Sequence, residues 1–178
     1  MSEAIADGLG LQADDFALFA VPRQFAQDAT ALDARWKTLQ RQAHPDKFAA
    51  QGAVAQRVAM QWSVRINEAY QRLKDPLRRA AYLCELAGMP VHAHTNTAMP
   101  APFLMQQMEW REALEDADNL PALEALQIAV EKERTRLLQA CALHIDGNAN
   151  WVQAVADVRA LMFMDKFLHD LFQRMDQV

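Results

Sequence analysis

At 178 residues, with 52% hydrophobic and 23% charged side chains, the chain has the make-up of a folded protein of one domain or two small ones, not of a disordered one. Its formal charge of −5 argues against a general nucleic-acid binder, and no apolar run approaches the ~20 residues that a membrane span needs. Met1 to Leu11 carries Glu3 and Asp7 and no Arg, the wrong make-up for a secretory or mitochondrial leader, so a cytoplasmic location is expected.

The charge is unevenly spread. Residues 1–87 hold 11 Lys/Arg against 10 Asp/Glu, a net of +1, whereas residues 88–178 hold 7 against 13, a net of −6. The two halves are therefore expected to face different partners.

Asp14 or Asp15 caps a short first helix through Phe16, Leu18 and Phe19, which ends before Pro22. Asp28 or Thr30 opens a second, in which Leu32, Trp36, Leu39 and Ala43 recur at helical spacing while Arg35, Lys37 and Arg41 lie off that stripe. Pro45 stops it, because proline lacks a backbone donor and pushes His44 out of the helical region. Asp46 is thereby left at the tip of a polar loop, flanked by Arg41 and Lys47, where a partner's guanidinium has bidentate access to its carboxylate. A third helix follows from about Ala53 to Lys74, with Ala55, Ala59, Trp62, Ile66, Ala69 and Leu73 as its apolar series. Trp62 and Tyr70 are expected against Trp36, and Arg57, Arg65 and Arg72 on the solvent side. Pro76 opens a fourth helix, with Leu77, Ala80, Ala81, Cys84 and Leu86 apolar, and Gly88 closes it.

Residues 88–101 contain Pro90 and Pro100 and lack a helical period, which marks a linker. His92 and His94 within it are two imidazoles, whereas a zinc site takes about four ligands. Three helices follow. The first carries Phe103, Trp110, Leu114 and Ala117 as a core stripe, and beside it Leu104, Met105 and Met108 continue into Glu109, Glu112 and Asp116. One apolar face is enough to fold a helix, so the second is either buried by the bundle or offered to a partner. Pro121 opens the next helix, with Leu123, Leu126, Val130, Leu137 and Cys141 at near-heptad spacing, and Gly147 closes it. Asn148 or Asn150 caps the last, whose stripe is Trp151, Val155, Val158, Met162, Leu168, Phe172 and Met175. Phe163 and Phe167 fall off that stripe, and one of them is expected to face outward. The two cysteines, Cys84 and Cys141, have no partner at ligand spacing and are expected as small buried hydrophobes.

His44-Pro45-Asp46 between two amphipathic helices, followed by Ile66-Asn67-Glu68-Ala69-Tyr70 with Leu73, Asp75, Pro76, Arg79 and Tyr82, resembles the J-domain. The match spans nearly the whole chain: Asp15-Phe16-Ala17-Leu18-Phe19, Arg41 to Phe48, Phe103-Leu104-Met105, Trp110-Arg111-Glu112 and Phe163-Met164-Asp165-Lys166 resemble the HscB family of iron–sulfur co-chaperones. The resemblance implies an all-α chain with a J-domain at 11–88, an antiparallel helical hairpin with short flanking helices. A linker at 89–101 and a three-helix client-binding bundle at 102–178 would follow.

By the same resemblance the protein has no catalysis and no cofactor of its own. His44, Pro45 and Asp46, supported by Arg35, Lys37, Arg41 and Lys47, would engage an HscA-type ATP-dependent chaperone and stimulate its ATPase. Leu104, Met105, Met108, Glu109, Glu112, Asp116 and Phe163 would bind an IscU-type scaffold, with Met108 and Asp116 matching only in side-chain type. Two other readings stand beside this one. The first is a J-protein with another client; the second is a small metalloenzyme built on His44, Asp46, His92, His94 and His144, which an exposed loop disfavours.

Overall fold

Asp14 accepts a hydrogen bond from the Ala17 amide and starts α1 (Asp15–Phe19), while Asp28 accepts from Thr30 and Ala31 and starts α2 (Ala29–Gln42). The structure is a computed structural model that describes residues 12–91 and 99–178. A turn of 3₁₀ helix (Pro45–Gln51) leads into α3 (Ala53–Lys74), and Asp75 caps α4 (Pro76–Leu86) by accepting from the Arg78 amide. Next come α5 (Ala101–Asp116), α6 (Leu120–Ala142) with a π-helical turn at its end (Leu143–Gly147), and α7 (Trp151–Met175). The described residues contain helices and no strand. They divide into two compact units, one up to Arg79 and one from Ala80, so the division falls inside α4.

In the first unit α2 and α3 run antiparallel: Asp33 meets Tyr70, Trp36 meets Asn67 and Gln40 meets Ser63. Leu32, Leu39, Ile66, Ala69 and Leu73 fill the seam, each no more than 1% exposed, and α1 adds Phe16 and Phe19 to that core. Tyr70 stacks on Trp36 with ring centroids 4.8 Å apart. Trp62 does not join that stack. It lies under the loop, where with Ala43, Phe48 and Ala59 it lines a recess of about 100 Å³.

The arginines of α3 also depart from expectation. Arg57 is exposed, but Arg65 and Arg72 reach Asp15 at 2.6 and 2.9 Å, and Asp15 is wholly buried. The reason is electrostatic, since a carboxylate taken out of water at a helix start needs opposite charge beside it. The capping role therefore belongs to Asp14 alone, with Arg23 on its other oxygen at 2.6 Å.

The α4 helix ends as its glycine predicts. Gly88 sits at φ 75°, its amide bonds to the Glu85 carbonyl, and the next amide, that of Met89, reaches back to Cys84. In the second unit α6 and α7 are antiparallel, with Arg134 on Asp165 at 2.7 Å and His144 on Asp157 at 2.6 Å. The α5 helix lies along α7 through Trp110 on Phe167 and Phe103 on Phe163. Asn119 caps α6 and Asn150 caps α7. The buried face of α7 is Val155, Val158, Leu161, Met164, Phe167 and Leu171, along with Ala154, Ala160 and Leu168. Phe172, expected inside, is 45% exposed, and Met162 and Met175 are half-buried, because α7 turns its widest apolar side towards both α5 and α6.

Candidate functional site

The loop at the end of α2 is shaped by its proline. His44 sits at φ −64°, ψ 125°, the extended conformation that a residue before proline prefers. Its Nδ1 accepts from the Asp46 amide at 3.4 Å and lies 3.5 Å from the Asp46 carboxylate, an ion pair only when the imidazole is protonated. The Asp46 side chain is 86% exposed. A carboxylate so placed keeps its lone pairs for a partner's donors.

Four basic residues stand near this tip in sequence, and the structure separates them. Lys37, Arg41 and Lys47 are exposed, with Lys37 and Arg41 one turn apart on α2 and the Arg41 guanidinium held over that turn by the Lys37 carbonyl and the Thr38 hydroxyl. Arg35 is half-buried, and its Nε donates to the Phe19 carbonyl at 3.2 Å, tying α1 to α2. Its positive charge serves the packing of the domain as well as any surface field. Pro45 is half-buried, and Phe48, two residues beyond Asp46, is the buried anchor of the loop.

The second candidate face is on α5. Leu104, Met105 and Met108 are 44%, 65% and 62% exposed, and Glu109, Glu112 and Asp116 are exposed further along the same helix. Among the described residues, then, the bundle does not bury that face. Met105 is surface, and Phe167, at 3% exposure, is core. Phe163 is half-buried between the two, with Phe103 edge-on at 5.9 Å and Phe167 stacked at 6.2 Å. Arg111, which the sequence offers only within the Trp110-Arg111-Glu112 match and with no role attached, lies over the Phe163 ring at 5.5 Å. No local signal reveals such a pair, because its members lie on different helices.

The cysteines are buried and free, and burial pushes the thiols up, to about 11 for Cys84 and about 12 for Cys141. Both are therefore protonated at neutral pH and poor nucleophiles or metal ligands. Burial also raises the Asp157 carboxyl, against the opposing effects of His144 and Arg136. His92 and His94 lie outside the described residues, and His144 is bonded to Asp157. Among the described residues no three His, Cys, Asp or Glu side chains gather in a way that would hold a metal ion, and no helix is long and apolar enough to cross a membrane.

Comparison with known proteins adds to this geometry. Residues 99–171 match the family model described as the HSCB C-terminal oligomerisation domain. The chain is 49% identical to the co-chaperone protein HscB homolog of Paraburkholderia phytofirmans over 92% of its own length and 94% of the relative's. It is 45% identical to the homolog of Bordetella pertussis, over 89% and 94% of the two chains. Among solved structures, chaperone HscB from Vibrio cholerae superposes with a TM-score of 0.81 at 35% identity, covering 93% of this chain and 99% of that one. Human co-chaperone HscB superposes at 0.89 over 96% and 86% of the two chains; at 23% identity that likeness speaks for the fold alone.

Proposed function

Because the chain belongs to the HscB family of co-chaperones, we propose that it serves iron–sulfur cluster assembly by bringing a cluster scaffold to an ATP-dependent chaperone. The J-domain, taken as residues 11–88, docks through His44, Pro45 and Asp46 on an HscA-type chaperone and stimulates its ATPase, with Lys37, Arg41 and Lys47 steering the encounter and Arg35 bracing the domain. After the linker at 89–101, the bundle at 102–178 presents Leu104, Met105, Met108, Glu109, Glu112, Asp116 and Phe163 to an IscU-type scaffold. The protein holds no catalytic group of its own for this task, and it works in the cytoplasm.

The observation that carries this reading is the Asp46 carboxylate, held at the apex of a two-helix hairpin with its side chain 86% in water. Such a tip binds the chaperone state poised for hydrolysis in preference to the other, and that difference in affinity is what shifts the chaperone's population. Presenting the scaffold in the same complex couples client capture to ATP turnover. Asp46→Ala is expected to leave the helical content unchanged and to abolish ATPase stimulation. A folded Asp46→Ala protein that stimulates normally would remove the role assigned to the tip.

The description of the matching family model favours a second use of the bundle, self-association. Sedimentation equilibrium with and without the scaffold separates the two. If α5 serves both, the scaffold dissociates the oligomer.

A further inference from the structure

The tip leaves α2 through Ala43, which is only 1% exposed, so water does not reach its carbonyl. The backbone that follows offers that carbonyl little. Pro45 has no N–H, the Asp46 amide turns to His44 Nδ1, and the Lys47 amide bonds to the His44 carbonyl. A buried carbonyl needs a donor, and this one receives it from the other arm of the hairpin, where Ser63 Oγ donates to it over 3.0 Å. The direction of that bond is informative, because a serine in the middle of a helix that turns its hydroxyl inward ordinarily bonds the carbonyl four residues back in its own helix. Ser63 crosses to α2 instead.

Gln40 completes the clasp from the α2 side. Its side-chain amide donates to the Ser63 carbonyl at 3.1 Å and to Asn67 Oδ1 at 2.6 Å, and the same Asn67 oxygen accepts from Trp36 Nε1 at 2.9 Å. The two helices are thus laced by directional bonds on one side of their seam, and the last of these bonds ends on the residue immediately before the tripeptide. Nothing in the apolar seam would fix that residue's orientation so closely, since apolar contacts have no preferred direction.

We propose that Ser63 is a positioning residue for the His44-Pro45-Asp46 tip: by holding the Ala43 carbonyl, its hydroxyl fixes the direction in which the loop leaves α2 and so the direction in which Asp46 meets the chaperone. This rests on the reading of the tip as the chaperone-docking element. Without the bond the tip divides its time between the competent orientation and others. Apparent affinity then falls with the competent fraction, while a tip that has docked acts as before.

The test uses the full chain with the HscA-type chaperone of the same organism. ATPase stimulation is titrated with the wild type, Ser63→Ala, Ser63→Thr and Asp46→Ala, and amide hydrogen exchange is followed in each. Ser63→Ala raises the concentration for half-maximal stimulation about three- to thirtyfold at an unchanged maximum, as expected when only the competent fraction falls. Exchange quickens at Asp46 and Lys47 but not at Ile66 and Ala69, and Ser63→Thr, which keeps the hydroxyl, restores both readouts. A wild-type half-maximal concentration in Ser63→Ala beside an inactive Asp46→Ala overturns the role of Ser63 alone. Exchange that quickens evenly along α3, or a loss that Ser63→Thr does not restore, makes Ser63 a packing residue and overturns it too. Full stimulation by Asp46→Ala overturns the reading of the tip itself.

Discussion

Asp46 and Met108 are both left in water, with 86% of the side chain of one and 62% of the other residue exposed, but what stands behind them differs. Behind Asp46 is a hairpin laced by the Ser63, Gln40, Asn67 and Trp36 hydrogen bonds, each with a fixed direction. Behind Met108 is a layer of rings, Phe103, Trp110, Phe163 and Phe167, packed edge-on, tilted or stacked. A single carboxylate recognises by angle, so its support is directional. A patch of thioethers and leucine recognises by area and adapts to its partner, so a firm floor is all that it requires.

That contrast can be broken by removing each support. The largest effect is expected at Asp15, whose wholly buried carboxylate holds Arg65 and Arg72 and so joins α1 to α3. Asp15→Ala removes the carboxylate that the two guanidiniums share, while Arg65 keeps its bond to the Ala13 carbonyl, and is expected to cost the first unit about 3–5 kcal/mol, read by urea denaturation. A loss below ~1 kcal/mol would mean that the exposed side of Arg72 keeps enough water to make the pair dispensable. Next comes the α5 face. Replacing Leu104, Met108 and Phe163 together with Ser is expected to weaken scaffold binding by about 2–4 kcal/mol, roughly 30- to 1,000-fold by calorimetry. Leu104 and Met108 are already exposed, so the bundle should keep its helicity; a bundle that melts instead would show that Phe163 carries core packing.

The same contrast explains which parts of the molecule were legible in the sequence. The loop at residues 44–46 could be read because Pro45 acts on its immediate neighbours, and the bounds of α3 because its apolar series has a single period facing one core. Asp15 could not be read as a buried ion-pair centre, since its partners Arg65 and Arg72 come from another helix and, locally, it looks like a second cap beside Asp14. Periodicity misplaces the face of α7 for a different reason. It packs against both α5 and α6, and with apolar residues at 162, 163, 164, 167, 168, 171 and 172 more than one helical stripe can be drawn. Periodicity alone also leaves the Leu104, Met105 and Met108 face undecided, because a core face and a partner face have the same spacing.

Salt separates the two surfaces with a smaller effect. Lys37, Arg41 and Lys47 are exposed, so the steering proposed for them is screened once the Debye length drops from about 10 Å at 0.1 M to about 3 Å at 1 M salt. Chaperone association is expected to slow about tenfold over that range, read by stopped-flow mixing. Dissociation of the scaffold from the apolar part of α5 should change far less. A flat response on the chaperone side would remove the steering role of the cations and leave the tip's geometry as the whole of its recognition.

The smallest expected effect has opposite signs in the two units. Burial pushes the Asp14 carboxyl up, but the Ala17 amide and Arg23 outweigh it and hold it below its ordinary value. The cap's contribution is therefore present above the ordinary carboxylate range and is lost as pH falls through the lowered value. Asp157 runs the other way. Burial raises its carboxyl despite His144 and Arg136, so the folded bundle holds that proton more tightly than the unfolded chain does. Its contribution is complete in acid and is lost as pH rises through the raised value. The thiols nearby, at about 11 and 12, stay neutral throughout and do not blur the comparison. Asp14→Ala should cost about 1 kcal/mol at neutral pH and nothing in strong acid, seen in amide exchange at Leu18 and Phe19. Asp157→Asn should flatten the pH dependence of exchange at Val158 and Leu161 while leaving the first unit alone; parallel pH dependences in the two units would show that one shared transition, not two local titrations, governs acid stability.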